Sequence, residues 1–235
     1  LEGQVEMENA RGKLLLSAGE AGEAAPGQAP RKTAVIEANN LLQWALYYPA
    51  VLDPGEIGLG DGERRAVAGS LEAYRAGDLL GALEAYPKRA PGGTGGRLYR
   101  AGVLLAVGRL DEARRDLRSV PAANPGRRAL ERMSDAVQSR EGEPWPDEAL
   151  GTAGEALAES YYRQSRHDLE GARRAARIAT EIRPDNGYAW TRLAELEFSF
   201  GRTGEAGAAL ARGLELTPRN AQAHAVQGFV HAADN

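Results

Sequence analysis

The feature that most constrains this chain is a stretch at residues 187–220 in which apolar and small residues recur at helical spacing. Trp190, Leu193 and Ala194 fall on one side of a first helix, and Gly201 ends that helix in a tight turn. The second helix presents small and aliphatic residues and stops at a proline: Ala206, Leu210, Gly213, Leu214 and Pro218. The stretch therefore predicts two antiparallel helices whose backbones approach closely.

Counted from Gly187, these nine residues occupy positions 4, 7, 8, 15, 20, 24, 27, 28 and 32, a spacing that resembles the tetratricopeptide repeat (TPR). The resemblance implies a mostly α-helical, TPR-type helical-hairpin solenoid over residues 63–235, wound as a right-handed superhelix and preceded by a small β segment. The turn of the fourth unit is expected to carry an insertion. The expected units are residues 63–93, 94–127, 128–150 (degenerate), 151–186, 187–220 and 221–235 (partial).

Residues 1–40 have a different character. Polar and apolar residues alternate before a turn at residues 9–12, an apolar run follows, and glycines and prolines punctuate the remainder, which predicts a small β segment with hairpins. The EGxV strand, the NAxG turn, the AGE segment and the PGQAP exit resemble the closing strands of a FecR-type domain. That resemblance implies a bacterial protein of the envelope or periplasm, with the cytoplasm as the alternative location.

Residues 41–62 are predicted to form an aromatic-rich junction. A cluster of Trp44, Tyr47 and Tyr48 could be a ligand-binding patch. The favoured interpretation is that these side chains dock the β segment onto the first repeat, because aromatic residues bury a large apolar area where two layers meet.

Composition excludes several classes of function. The net charge of −4 gives no bulk attraction to nucleic acid or to anionic lipid. The absence of cysteine excludes disulfides, thiolate metal sites and cysteine nucleophiles. No apolar run approaches the roughly 20 residues that cross a bilayer, so no membrane insertion is expected within this chain. The chain starts without Met and ends within a repeat, so we expect it to be a fragment of a longer protein.

No motif supports catalysis, a metal or a cofactor. The glycine-rich strings at residues 57–63 and 91–97 lack the rest of a phosphate-binding fingerprint and are interpreted as turns between helices, with Asp61 as a helix N-cap. His224 and His231 share a helix face, but no carboxylate completes a metal site at ligand spacing. His167 has no serine partner in a hydrolase context. We therefore expect a non-enzymatic protein without a cofactor.

The TPR resemblance assigns positions 2, 5, 9, 12 and 13 of each unit to a concave groove that binds a partner. The residues chosen from these positions are Tyr74, Arg75, Glu155, Glu159, Tyr162, Arg163, Tyr188, Thr191, Glu195, Phe198 and Ser199. Tyr162 and Phe198 are the main candidates, because large aromatic side chains outside the helix-pairing stripe need a partner or a neighbour. The alternative for Phe198 is packing against the following helix, near Phe229.

These observations predict a scaffold that binds a protein or peptide in its groove, within a bacterial envelope assembly. The alternative is a structural protein that self-associates by stacking through open repeat ends. An enzyme would need a catalytic domain outside this sequence and ranks third.

Overall fold

The computed structural model describes residues 5–16, 21–25, 27–33, 49–89 and 91–233. The chain divides into two compact units, Leu1–Leu46 and Tyr47–Asn235. Trp44, Tyr47 and Tyr48 lie outside the described residues, so their docking role stays a prediction.

The described residues of the first unit form two antiparallel β-hairpins, which confirms the predicted small β segment. In the first hairpin, Val5 pairs with Leu16 and Asn9 with Gly12. The Asn9 side chain serves both hairpins: its Oδ1 accepts from the Arg11 amide at 2.9 Å, and its Nδ2 donates to the Gln28 carbonyl at 2.8 Å. The strands are β1 Val5–Asn9, β2 Gly12–Leu16, β3 Ala21–Glu23 and β4 Arg31–Thr33.

The second unit is helical, which confirms the predicted fold class. Its described residues form α1 Asp61–Ala66, α2 Ala68–Ala76, α3 Leu79–Glu84, α4 Thr94–Ala106, α5 Leu110–Leu117, α6 Pro125–Val137, α7 Ala153–Ser165, α8 Leu169–Ile182, α9 Gly187–Ser199, α10 Thr203–Leu216 and α11 Ala221–Ala233, with a 3-10 turn at Asp147–Ala149.

Four pairs of these helices pack as hairpins: α2 with α3, α4 with α5, α7 with α8, and α9 with α10. Each hairpin turn contains one residue with a positive φ, at Gly77, Gly108, His167 and Gly201. Glycine suits this left-handed backbone because it has no Cβ. At the α7–α8 turn His167 adopts it instead, with φ 64°.

The predicted insertion in the turn of the fourth unit is wrong. The α7–α8 turn, Arg166–Asp168, has the same length as the α9–α10 turn, Phe200–Arg202. His167 therefore aligns with Gly201. The absence of glycine at this position hid the correct alignment, and the groove positions chosen in that unit were displaced by two residues.

The third unit has a first helix without a second one. Asn124 caps α6 by accepting from the Arg127 amide at 3.1 Å, and Pro125 takes the first helical position. Residues 138–146 form neither helix nor strand and lead to the 3-10 turn and α7. The sequence EGEPWP at residues 141–146 therefore lies within the non-helical connection of this unit.

Two apolar clusters form the interior of the second unit. The larger cluster joins buried side chains from residue 50 to residue 189, and the smaller one joins α8, α9, α10 and α11. The larger cluster includes residues that precede the first helix. The stretch N-terminal to the repeats therefore forms part of their core.

Candidate protein-interaction face

The first helices of the hairpins, α2, α4, α7 and α9, line one face of the second unit, here called the inner face. A stretch of the chain itself lies on it, residues 49–59, named the groove segment. This segment forms neither helix nor strand, and five of its apolar side chains are at most 6% exposed: Ala50, Val51, Leu52, Ile57 and Leu59. The inner face is thus occupied by a peptide of irregular backbone.

Glycines on the first helices allow the groove segment to approach. A Cβ at Gly95 would lie 2.8 Å from the Gly58 carbonyl oxygen, one at Gly102 would lie 2.6 Å from Leu52 Cδ1, and one at Gly154 would lie 3.1 Å from the Val51 carbonyl oxygen. Aligned on the hairpin turns, Gly95 and Gly154 match Tyr188, and Gly102 matches Glu195. These glycines therefore sit at positions that the TPR resemblance assigns to the groove. They are the one sequence signal that could have located the groove segment.

Buried tyrosines hold the segment's backbone. The Tyr74 hydroxyl donates to the Leu52 carbonyl at 2.8 Å, and the Tyr188 hydroxyl donates to the Tyr74 carbonyl at 2.6 Å. The rings of Tyr74 and Tyr188 lie 5.4 Å apart. Burial raises the pKa of both phenols well above the ordinary value, so both remain proton donors at neutral pH. The two residues link α2, α9 and the groove segment.

Two carboxylates of the groove segment contact α7 and the turn after α8. Glu56 accepts from the backbone amides of Ala153 and Gly154, at 2.9 and 3.3 Å, at the N-terminus of α7. Asp53 accepts from the Gly55 amide at 2.6 Å and lies 3.2 Å from Arg183 Nη1. Burial raises the pKa of both carboxyls, although these amide bonds and Arg183 act in the opposite direction.

Most of the residues predicted to bind a partner are buried within the fold of this chain. Arg75 and Ser199 are exposed and Phe198 is half-buried. The buried ones are Tyr74, Glu155, Glu159, Tyr162, Arg163, Tyr188, Thr191 and Glu195. Tyr74 and Tyr188 do line the inner face, where they hold the groove segment rather than an external partner.

Tyr162, Glu159 and Arg163 belong to an internal network instead of an open groove. The Tyr162 hydroxyl donates to the Gly142 carbonyl at 2.7 Å, and Arg132 stacks on the Tyr162 ring at 3.4 Å. Glu159 pairs with Arg132 at 2.7 Å and with Arg163 at 3.0 Å. These side chains fasten the 138–149 connection onto α7, which is the physical reason for their burial.

Tyr161 lies two residues after Glu159, which the sequence assigned to this groove position, and takes the position equivalent to Glu195. Arg192 stacks on its ring at 3.9 Å and pairs with Glu195 at 2.9 Å. Gln222 donates to the Tyr161 hydroxyl at 3.2 Å and to Glu195 at 3.0 Å. Glu195 therefore joins α9 to α11.

Phe198 packs in the smaller apolar cluster, which contains Val226 and Val230 of α11. This placement favours the packing interpretation over a free aromatic contact. Phe229 lies on the same helix as these valines and is 47% exposed.

The other motifs fall at helix ends. Gly60, rather than Asp61, caps α1, and Glu63 accepts from the Gly60 amide at 2.9 Å and the Gly96 amide at 3.0 Å. His224 Nε2 lies 2.9 Å from the Pro218 carbonyl. Within the described residues no group of three His, Asp or Glu side chains is placed to hold a metal ion. No helix in that part of the chain has the length and apolarity needed to cross a membrane.

Comparison with known proteins agrees with this geometry. Residues 164–228, from the end of α7 into α11, match the family model described as tetratricopeptide repeat. The crystal structure of a thermophilic TPR protein in Thermus thermophilus is similar, with a TM-score of 0.51 and 18% identity, covering 72% of this chain and 99% of that chain. A search of curated proteins found no match.

The second unit is therefore a helical-hairpin repeat structure, the class of fold that commonly serves as a protein-interaction scaffold. Residues 164–228 match the tetratricopeptide repeat model, and the similarity to the solved structure shows a fold of this kind over 72% of the chain. The FecR-type resemblance of residues 1–40 stays a prediction.

Proposed function

We propose that this chain is a non-enzymatic scaffold that binds extended protein segments on its inner face. The observation that carries the proposal is that this face already holds a peptide, the groove segment. Tyr74 on this face binds the backbone of the groove segment, and the start of α7 binds Glu56 of the segment. Gly95, Gly102 and Gly154 leave room for the segment to pack closely. Hydrogen bonds to the main chain suit a peptide ligand, with side-chain pockets adding selectivity.

A partner that uses this face must replace the groove segment, since both need the same contacts. The tethered segment competes at a high effective concentration, on the order of millimolar for short flexible connections. Binding in trans is therefore expected to be weak in the wild-type chain and stronger when the segment's own docking is weakened.

The test uses a labelled peptide with the sequence of residues 49–59 and the chain variant Leu52→Ala. Truncating this buried leucine weakens the docked segment by about 2–5 kcal/mol. We expect the variant to bind the peptide at least about tenfold more tightly than wild type does. Leu80→Ala is the matched control, because Leu80 is 68% exposed and its truncation leaves the inner face unchanged.

Hydrogen–deuterium exchange of the wild-type chain provides the second measurement. If the segment opens locally, the amides of residues 51–59 exchange faster than those of α7 and α9. Exchange of residues 51–59 only through global unfolding, together with no peptide binding to Leu52→Ala, would show that the segment is a fixed part of the core. The inner face would then be structural.

For location, we propose the bacterial envelope, supported by the FecR-type resemblance of residues 1–40. Fractionation of the source cells checks this, and recovery with cytoplasmic markers would contradict it.

Self-association through α11 is the second candidate function, favoured by the exposed Phe229 on a helix whose Val226 and Val230 are buried. Light scattering on wild type and on Phe229→Ser measures it. A monomeric mass for both chains at all concentrations would contradict it.

A further inference from the structure

A cleft of about 310 Å³ lies between α5 and α6, on helices other than those of the inner face. In the other repeats the second helix of one hairpin packs on the following first helix, as α8 does on α9. Here α6 has no second helix of its own. The connection after it is held by hydrogen bonds from Arg132 of α6 and from Tyr162 and Arg163 of α7, so it does not fill the space beside α5. The gap between α5 and α6 therefore stays open.

Arginine side chains dominate the lining of this cleft. Arg114 and Arg118 come from α5 and the residue that follows it, Arg127 from α6, and Arg140 from the connection after α6. Two carboxylates oppose these four cations. Glu131 pairs with Arg127 at 2.8 Å, and Asp135 lies 3.6 Å from Arg140.

Two of the guanidinium groups have no acidic partner. Within the described residues, neither Arg114 nor Arg118 forms an ion pair or a side-chain hydrogen bond. Arg114 Nη2 is buried and has no acceptor. A buried charged donor without an acceptor is unfavourable, so the cleft is suited to an incoming oxyanion.

We propose that this cleft binds an acidic segment of a protein partner through its carboxylates. The inference rests on the proposed scaffold function and assigns it a second surface. A peptide fits better than a small free anion, because the arginines of the cleft come from α5, from α6 and from the connection after α6, so several carboxylates on one chain can reach them together. Carboxylates would pair with Arg114 and Arg118.

The probe is a fluorescent acetyl-Glu-Glu-Leu-Glu-Glu-amide peptide, titrated at low salt into the intact chain and into Arg114→Glu/Arg118→Glu. We expect the double variant to bind at least about tenfold more weakly. The control is Arg64→Glu/Arg65→Glu, which makes the same change in net charge at exposed positions on α1 and is expected to bind within about twofold of wild type. Arg114→Gln/Arg118→Gln, a milder change, is expected to give an intermediate loss.

Equal weakening in the cleft and control variants would overturn the proposal, because it would show bulk charge attraction only. Absence of binding to the wild-type chain would also overturn it, as would displacement of the peptide by inorganic phosphate at equal concentration. Circular dichroism confirms that each variant is folded. The peptide binds here whether or not the groove segment opens, so failure of the inner-face proposal and failure of this one give different results.

Discussion

At the scale of single residues, buried carboxylates paired with arginine connect neighbouring helices of the second unit. Glu197 at the end of α9 accepts from Arg173 at 3.2 Å, from Arg177 at 3.0 Å and from Arg202 at 3.0 Å. Burial by itself would raise the pKa of Glu197, but hydrogen bonds from Arg202 and Arg173 lower it below the ordinary value. This carboxylate joins α8 to the α9–α10 turn.

Glu197→Gln is expected to lower the free energy of unfolding by about 2 kcal/mol, because it replaces a buried carboxylate that accepts hydrogen bonds from three arginines, two of which are more than a third exposed. Urea unfolding near pH 7 measures this change. The control Glu215→Gln, at an exposed ion pair with Arg212, is expected to cost less than about 1 kcal/mol. An equal loss in both variants would contradict the prediction.

The same cluster predicts a pH dependence. Because the folded-state pKa of Glu197 is below its unfolded value, the stabilisation is fully present above about pH 4.3 and disappears as the pH falls through the folded-state pKa. The difference in stability between wild type and Glu197→Gln is therefore expected to shrink on acidification. A difference that stays constant down to about pH 3 would be inconsistent with this assignment.

A glycine contact gives a further prediction at this scale. Gly95→Ala places a Cβ 2.8 Å from the Gly58 carbonyl, so the backbone of the groove segment must move, at a cost of about 1–3 kcal/mol. Gly207→Ala, within α10 and with no atom near its Cβ, is expected to gain up to about 1 kcal/mol. Thermal unfolding of the two variants compares them, and stabilisation by both would disprove close packing at Gly95.

At the scale of elements, α7 organises the unit because several helices and two non-helical stretches of the chain contact it. It packs against α6 and α8, its N-terminus binds Glu56, and its side chains hold the 138–149 connection. Thr152 caps it by accepting from the Glu155 amide at 3.1 Å. Changes on α7 are therefore expected to alter folding before they alter any partner contact.

Tyr162→Phe is expected to remove only the hydroxyl's hydrogen bonds to the Gly142 and Arg140 carbonyls, at a cost of about 1 kcal/mol, and to speed proteolysis within residues 138–146. Tyr162→Ala is expected to cost about 3–5 kcal/mol, because it also leaves a cavity and removes the ring beneath Arg132. Limited proteolysis and urea unfolding measure both. If Tyr162→Ala were as stable as wild type, Tyr162 would not be a structural residue and would again be a candidate for binding a partner.

At the scale of the whole second unit, the first hairpin contacts the end of the last complete hairpin. The Arg219 amide donates to the Ala76 carbonyl at 2.7 Å, and Arg219 pairs with Asp78 at 2.7 Å. Open solenoids have contacts only between neighbouring repeats and can unfold in stages. Here the contact between distant repeats couples the hairpins.

Gly77→Ala is expected to break this coupling. Its backbone has φ +92°, and a Cβ would lie 2.5 Å from the Asn220 nitrogen. We expect a loss of several kcal/mol and a broader, multistep urea transition. Gly201→Ala has a similar φ and no nearby atom, so it should lower stability by about 1–2 kcal/mol and keep a single transition. Sharp single transitions in both variants would rule out coupling.

The sequence was sufficient for the helical repeats because their glycine turns and apolar spacing are local features. The β-hairpins were likewise visible from alternation and the Asn9 turn. The site was harder to predict. Tyr162 and Glu159 were placed in the groove because His167 concealed the register, and their burial depends on a connection that carries no periodic pattern.

The groove segment could not be located from local pattern, because its contacts lie far away in the chain. Glu56 bonds to Ala153 and Gly154, about a hundred residues later. Only the glycines on the first helices indicated that a backbone approaches there. The arginine cleft was missed for a similar reason, since α5 and α6 line it only because a helix is absent between them.

The docking of the groove segment has a consequence for how the protein is made. Synthesis proceeds from the N-terminus, so Val51, Leu52 and Ile57 leave the ribosome well before α7 and α9, which provide much of their binding surface. Until those helices are complete, these aliphatic side chains remain exposed to other newly made chains and to chaperones. The peptide at the centre of the folded unit is therefore among its first parts to be synthesised and among its last to be protected from aggregation.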